Sequence, residues 1–384
     1  MRGKANFKGT LFFAETGEVI YSKIDVRNGA IGVVPSKLPK IAVSSEYPVY
    51  RVRPSVALPD YVKLLFRTSM FRQQINSMIS GASGRKRVQP SDLEQLQVPL
   101  PPLSVQEAMM SHWRQAQAAT AKSRETTAEL EAEIPLAIYK ALGTLPPKTE
   151  EPLPKLLMLE WKDLARWSFN YLARSQRGLL GFTKSRYPIH PLGKYLLDTM
   201  NGYCIKPVQA PTPHKMLKLN ALTPAGLDVG KSKFIKVSNR IAERFCIRKG
   251  DLLICRSVGS YEYVAKCALV EEDTPDILFP DIIIRARFRE SILPEFAREV
   301  IQTLLGRSYF QSNARTAVGM WKIGAEDIRN FPIPVPPLSV QRDIVNMVSQ
   351  QRKRIADERK VMDGRQVQVT YEVEQMILGE KIVR

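Results

Sequence analysis

A nine-residue tract written almost twice constrains this chain more than any other feature. Val98-Pro99-Leu100-Pro101-Pro102-Leu103-Ser104-Val105-Gln106 returns 235 positions later as Ile333-Pro334-Val335-Pro336-Pro337-Leu338-Ser339-Val340-Gln341. Each copy runs into a long, charged, helix-favouring stretch, and Ser104 and Ser339 are placed to cap helices just past prolines that forbid an earlier start. The pattern predicts helices over about 104–142 and 339–378. In the second, Val348, Ile355, Met362, Val369 and Met376 recur at seven-residue intervals, supported by Ile344 and Val373, as in the seam of a coiled coil. Subtracting 235 places Trp113, Thr120, Thr127, Ile134 and Ala141 on the matching stripe of the first helix, flanked by Met109, Ala116, Ser123, Leu130 and Ala137. The duplication therefore holds heptad register through both helices. Small side chains on one seam and aliphatic ones on the other suit close antiparallel packing; two unrelated amphipathic helices, each on its own domain, are the competing reading. Pro135 is expected to kink the first helix near its last two turns.

The unit that repeats is a globular domain followed by such a helix. Residues 143–156 are too rich in proline and charge for an element interior and read as a linker. This divides the chain into a first domain over 1–103, a helix over 104–142, the linker, a second domain over 157–338 and a helix over 339–378. Short apolar runs such as Leu252-Leu253-Ile254-Cys255 and Ile282-Ile283-Ile284, with helical patterning near 294–307, make the second domain α+β. Gly17-Glu18-Val19-Ile20-Tyr21-Ser22-Lys23 matches Gly250-Asp251-Leu252-Leu253-Ile254-Cys255-Arg256 at an offset of 233, and Asp92-Leu93 matches Asp327-Ile328. Leu65 to Phe71 resembles Leu305 to Phe310. On these landmarks Met1 corresponds to about residue 234, so the first domain is expected to lack the counterpart of 157–233 and to protect its amides less well than the second.

Composition narrows the partners. Fifty-seven Lys and Arg against 38 Asp and Glu leave a net charge of +19, spread along the whole chain. Such a surplus favours a polyanion through counterion release, without specifying a sequence. With two units on a fixed spacer, a target with two separated halves, duplex DNA, fits best. No apolar run is long enough for a membrane span and the first residues lack a signal peptide's apolar core, so a cytoplasmic protein without membrane contact is expected. The four cysteines, Cys204, Cys246, Cys255 and Cys267, have neither disulfide-framework nor zinc spacing and read as buried thiols. His112 reads as a solvated helix residue, His190 and His214 as loop residues, and no metal or other cofactor is implied.

Catalytic chemistry finds no foothold. There is no Asn/Asp-Pro-Pro-Tyr/Phe motif for methylating a flipped base, and Gly226-Leu227-Asp228-Val229-Gly230-Lys231-Ser232 is one residue short of a phosphate loop. Candidate DNA contacts lie elsewhere. The glycine-rich basic loop that ends in Arg85-Lys86-Arg87 lets a backbone approach a phosphate closely, and its counterpart carries Trp321-Lys322. Lys23 and Arg27 follow the first glycine turn as Arg256 follows the second, and arginine suits a bidentate contact with guanine as well as pairing with a carboxylate. Lys231, Lys233, Lys236, Arg240 and Arg244 form a further basic segment that reads first as a solvated face. For all of these, phosphate contact stands beside solvated or ion-paired surface.

The two proline tracts, the Gly-Asp-Leu-Leu-Ile-Cys-Arg turn and the helix after each tract, in that order and duplicated, resemble the specificity (S) subunit of type I DNA restriction-modification systems. The resemblance implies two target-recognition domains that each read half of a split DNA site, joined by two long antiparallel coiled-coil-like helices. It implies that modification (methyltransferase) subunits dock on the helices, that a restriction/translocase subunit completes the complex, and that this chain itself is not an enzyme. Thirty-nine helical residues at 1.5 Å each make about 58 Å, more than one DNA turn of roughly 34 Å, so domains at opposite ends reach separate half-sites. A catalytic DNA-modifying enzyme without recognisable motifs and a structural coiled-coil protein binding DNA non-specifically are the alternatives.

Overall fold

The computed structural model describes residues 10–78, 87–147, 156, 158, 160–161, 169–176, 181–224, 226–317 and 319–380. The chain divides into two compact units: residues 1–128 together with 356–384, and residues 129–355.

In the first unit, β1 (Leu11–Glu15), β2 (Val19–Tyr21), β3 (Ile31–Val33), β4 (Lys40–Ser44) and β5 (Val49–Tyr50) are followed by α1 (Pro59–Leu65), α2 (Ser69–Met78) and α3 (Pro90–Glu94). The long helix α4 (Leu103–Leu142) then leaves the unit. β2 is the centre of a sheet ordered β3-β2-β5, while β1 pairs antiparallel with β4. Val19, Tyr21, Val26, Ile31, Phe71 and Ile75 bury the inner face of that sheet against α2. Tyr61, Leu64 and Leu65 of α1 pack on Met109 and Met110 of α4 and on Val369, Val373 and Ile377 near the chain's end.

The second unit starts with α5 (Phe169–Gln176), β6 (Ile189–Pro191), β7 (Leu196–Asn201), β8 (His214–Leu217), β9 (Leu222–Thr223), β10 (Gly226–Leu227) and β11 (Ser232–Ile235). Next come α6 (Asn239–Phe245), β12 (Cys246–Ile247), β13 (Leu252–Cys255), β14 (Ser257–Val258), β15 (Cys267–Leu269), β16 (Thr274–Leu278) and β17 (Ile283–Phe288). Then follow α7 (Pro294–Gln302), α8 (Leu304–Asn313), β18 (Arg315–Ala317), β19 (Met320–Lys322), α9 (Ala325–Arg329), β20 (Pro332–Pro334) and α10 (Leu338–Ile377). One four-stranded sheet runs β15-β13-β17-β7 and a second runs β11-β8-β16-β12. β13 is buried on both faces, which is why Leu252–Cys255 is a continuous apolar run without alternation; the buried part of β17 is apolar except for Arg285.

The duplication reaches individual hydrogen bonds. Val19 pairs with Val33 and Tyr50 in the first unit as Leu252 pairs with Leu269 and Ala286 in the second. Gly17 and Gly250 take the same left-handed turn, φ 84° and 85°, and each donates its N–H at 2.9 Å, to Val34 and Val270. The acid after each glycine closes that turn and holds an arginine: Glu18 accepts from Arg51 at 2.9 Å, Asp251 from Arg287 at 2.6 Å. Asp92 and Asp327 cap the short helices α3 and α9 by accepting from the N–H of Gln89 and Gly324.

One sequence match is out of register. The likeness of Leu65–Phe71 to Leu305–Phe310 is superficial, because the structural equivalent of Thr68 is Thr303. Both threonines are buried, and both accept an N–H at the start of the next helix, from Phe71 at 3.3 Å and Gly306 at 3.2 Å. In the region expected to be helical near 294–307, this cap separates α7 from α8. α4 continues through Pro135 and ends at Gly143, whose φ of 64° terminates it.

The helices run antiparallel. In the first unit the start of α4 meets the end of α10: His112 pairs with Glu372 at 3.0 Å, and Ser69 Oγ donates to Glu374 at 2.7 Å. In the second unit the end of α4, with Ile138, Tyr139 and Leu142, shares a core with Ile344 and Val348 at the start of α10. Three smaller expectations need correction. His112 is hydrogen-bonded to Glu372, which the antiparallel register brings opposite it. His190 and His214 lie on strands β6 and β8, where their neighbours are recruited into ladders. Of the four cysteines Cys204 is exposed, since it follows β7 outside the sheet core; the other three are buried.

Candidate nucleic-acid interface

The structure places Lys23 and Arg256 at one and the same position of the duplicated unit. The Lys23 N–H donates to Glu46 O at 3.0 Å and its carbonyl accepts from Val88 at 2.8 Å; the Arg256 N–H donates to Ile282 O at 2.9 Å and its carbonyl accepts from Ile323 at 2.9 Å. Backbone pinned on both sides fixes where each side chain leaves the domain. By the same ladders Arg87 and Lys322 are equivalents, one residue before Val88 and Ile323. Each unit thus joins two basic residues, distant in sequence, across one backbone contact.

Their side chains are engaged differently. Arg87, half-exposed, pairs with Glu46 at 3.1 Å. Arg256 donates through Nη1 to Asp281 O at 3.1 Å, and its Nε is buried without a partner among the described residues. Lys322 is exposed on β19, directly opposite Arg315 on β18, so two cations stand side by side. Like charges opposed across a ladder cost stability unless an anion or solvent takes up the field. Trp321, next along β19, points to the other face and packs edge-on against Tyr261 with ring centroids 4.6 Å apart. Arg174 lies over the Tyr261 ring at 5.6 Å. The segment expected as a basic loop is therefore a hairpin about Gly319, with Trp321 half-buried and Lys322 outward. Arg85 and Lys86, like the side chain of Arg27, lie outside the described residues.

A second basic surface sits on the sheet that carries β8 and β11. Lys215 and Lys233 are exposed there, with the Lys215 ammonium 5.2 Å from the Phe234 ring centroid. Lys231 pairs with Asp228 at 3.3 Å and closes the turn that resembled a phosphate loop. Other arginines are committed to the fold. Arg285 is 3% exposed and pairs with Asp198 at 2.8 Å, and the hydrogen bonds that Arg287 donates to Asp251 hold its guanidinium above its usual pKa.

Helix-seam residues are divided between the units. Trp113, Val369 and Met376 join the apolar cluster of the first unit, whereas Ile134 and Val348 join the core of the second. Ile355 is buried and Met362 half-buried. Thr120 and Thr127 are buried too, their hydroxyls donating back to Ala116 O at 2.9 Å and Ser123 O at 2.7 Å within α4.

No family model matches the chain. Over 292 residues, however, it is 24% identical to the specificity subunit of the type I restriction enzyme EcoKI of Escherichia coli (strain K12), and over 293 residues 21% identical to that of StySPI of Salmonella potsdam. This chain is a relative of the type I specificity subunits. The matches take in 74% and 76% of the chain but 56% and 58% of the relatives, so it spans little more than half of their length. A chain from a structure concerning complex assembly and conformational transition of the type I R-M system shares its fold, with a TM-score of 0.61 at 16% identity, covering 96% of this chain and 83% of that one.

Beside these specificity subunits, two residues overlooked in the sequence stand out, Gln106 and Gln341. Both are fully buried at the end of the repeated tract. Gln106 Oε1 accepts from Leu58 N–H at 2.9 Å, and its Nε2 donates to Pro101 O at 2.8 Å and Val56 O at 3.0 Å. Gln341 repeats the set with Leu293 at 2.8 Å, Pro336 at 2.9 Å and Ser291 at 3.4 Å. Each amide locks the first turn of a long helix to the loop before α1 or α7. The signal was present: apart from the capping serine, the glutamine is the one polar residue retained in both copies of a proline and aliphatic tract. Among the described residues no cluster of three His, Cys, Asp or Glu side chains could hold a metal ion, and no helix is long and apolar enough to cross a membrane.

Proposed function

We propose that this chain is the DNA-recognition subunit of a type I restriction-modification complex, non-catalytic itself, reading a bipartite duplex site. The observation that carries the reading is the pair of equivalent positions, Lys23 with Arg87 and Arg256 with Lys322, fixed by the same backbone contacts in two units that share two antiparallel helices. We read residues 1–103 and 157–338 as the recognition domains, 104–142 and 339–378 as the spacer helices and 143–156 as the linker. The exposed polar faces of α4 and α10 are the docking surface for the modification subunits, and a restriction/translocase subunit joins through that assembly. In unit two, Arg315 and Lys322 clamp phosphates, which accounts for two cations held opposite each other.

The test is methylation and footprinting of duplex DNA by the chain with its modification subunits. Two protected patches separated by about one helical turn are expected, with methylation only when the partners are present. Lys322→Ala should weaken binding similarly across sequences and reduce the slope of log K against log salt by about 1, as for one lost phosphate contact. Methyl transfer by the chain alone, or retention of DNA without sequence preference in the full complex, would refute the reading.

A further inference from the structure

The two units keep the same backbone at their basic positions but not the same neighbour. Lys23 N–H donates to Glu46 O where Arg256 N–H donates to Ile282 O, and Val19 meets Tyr50 where Leu252 meets Ala286. Glu46 and Ile282 are therefore equivalents, 236 residues apart like Tyr50 and Ala286. Val88 and Ile323, whose N–H groups donate to Lys23 O and Arg256 O, bring Arg87 and Lys322 to the same place. In the first unit the Glu46 carboxylate lies 3.1 Å from Nη2 of Arg87. In the second, Ile282 packs on the apolar core and Lys322 stands exposed beside another cation, Arg315. Lys322 is exposed although that unit carries β6 to β11 ahead of the shared region, so such strands do not cover this position.

Stability does not account for the Glu46–Arg87 pair. The two side chains are 38% and 44% exposed, where an ion pair contributes little, and Glu46 Oε2 is buried without a hydrogen-bond partner among the described residues, which costs more. The pair changes the kind of group that Arg87 accepts. A free lysine attracts any phosphate, whereas an arginine balanced by a carboxylate at 3.1 Å does so weakly, because the carboxylate repels the same phosphate. A neutral acceptor meets no such repulsion and needs oriented donors instead of net charge. A carboxylate taking one hydrogen of Nη2 leaves the other, with a neighbouring nitrogen, as a two-pronged edge. Guanine presents two such acceptors, N7 and O6, in the major groove.

We propose that Glu46 is a positioning residue for base readout: it orients Arg87 for a two-bonded contact with a guanine in the half-site read by the first unit, and makes the same arginine a poor phosphate ligand. The second unit, with Lys322 and no acid at Ile282, clamps phosphate at the equivalent place. This deepens the DNA-recognition reading and rests on it.

The full chain with its modification subunits selects duplexes from a randomised pool, and binding of the selected site is then titrated against salt. Wild type should prefer guanine about tenfold at one position of one half-site. Glu46→Gln, Glu46→Ile and Arg87→Lys should each erase that preference and leave the other half-site as it is, with amide exchange over Val19–Tyr21 unchanged as the check on folding. Salt separates orientation from charge. The slope of log K against log salt should steepen by about 1 in Glu46→Ile, whose Arg87 is released to phosphate, and stay the same in Arg87→Lys, which keeps both charges. Guanine preference retained in Glu46→Ile or Arg87→Lys, or affinity lost equally for every sequence, overturns the proposal while the recognition reading stands. A wild-type complex with no sequence preference overturns the recognition reading itself, and this proposal with it.

Discussion

Gln341→Met tests the amide lock under the second long helix. Methionine fills the volume and is apolar, so the substitution removes polar partners without opening a cavity. Leu293 N–H and Pro336 O lose bonds of 2.8 and 2.9 Å in a fully buried place, while the 3.4 Å contact to Ser291 adds little. Each orphaned buried group costs about 1–3 kcal/mol, which puts the loss near 4 kcal/mol for the second unit. At about 2–4 °C per kcal/mol for a unit of this size, its melting point should fall by roughly 10 °C. Guanidinium unfolding followed by exchange at α7 and the first turn of α10 separates this unit from the first. Gln341→Glu supplies the sign check: a carboxylate aimed at two carbonyl oxygens raises the introduced carboxyl's folded pKa above the unfolded value of about 4.3. That variant is closest to wild type below about pH 4, where the protonated carboxyl donates to Pro336, and loses stability as pH rises through the folded pKa. A cost under about 1 kcal/mol for Gln341→Met, or a Gln341→Glu variant indifferent to pH, would refute the lock.

Ile355→Asp buries a charge in the helix pair and should cost upwards of about 3 kcal/mol in chemical denaturation, whereas Met362→Asp at a half-buried position should cost clearly less; equal effects would discount the seam. Burial pushes the Tyr21 hydroxyl up to about 12, so the stability it contributes is complete below about pH 10 and is lost between pH 10 and 12; Tyr21→Phe should flatten that part of the first unit's stability curve. Alkylation at pH 8 should label exposed Cys204 far ahead of Cys255 and Cys267, whose thiols burial raises to about 11 and 12, and mass spectrometry of the digest reads the order directly.

The duplicated fold and its paired helices were legible because seven-residue spacing and proline tracts are local signals. Strand partners were not, since β2 meets β5 and β13 meets β17 across some 30 residues with no local mark of register. The misaligned Leu65–Phe71 match shows the limit: a likeness of side-chain types lost to one buried hydroxyl cap, visible only when Thr68 and Thr303 are seen to accept equivalent N–H groups. Candidate contacts fared unevenly for a related reason. Charge flags Lys23, Arg256 and Lys322 equally with Arg285 and Arg287, but only the ion pairs with exposed Asp198 and buried Asp251 reveal that the last two are spoken for.

The composition of the first unit also bears on how the protein is made. Residues 1–128 complete their core only with Val369, Val373 and Ile377 from the far end, whereas 129–355 is contiguous. On a ribosome adding about 5–20 residues per second, the segment between takes roughly 10–45 s to emerge. Tyr61, Leu65, Met109 and Met110 wait through that interval without their last partners, so the unit encoded first is the one finished last. A stalled or prematurely terminated chain would release a sound second unit beside an unsealed first one, exposing its apolar helix face to chaperones and proteases.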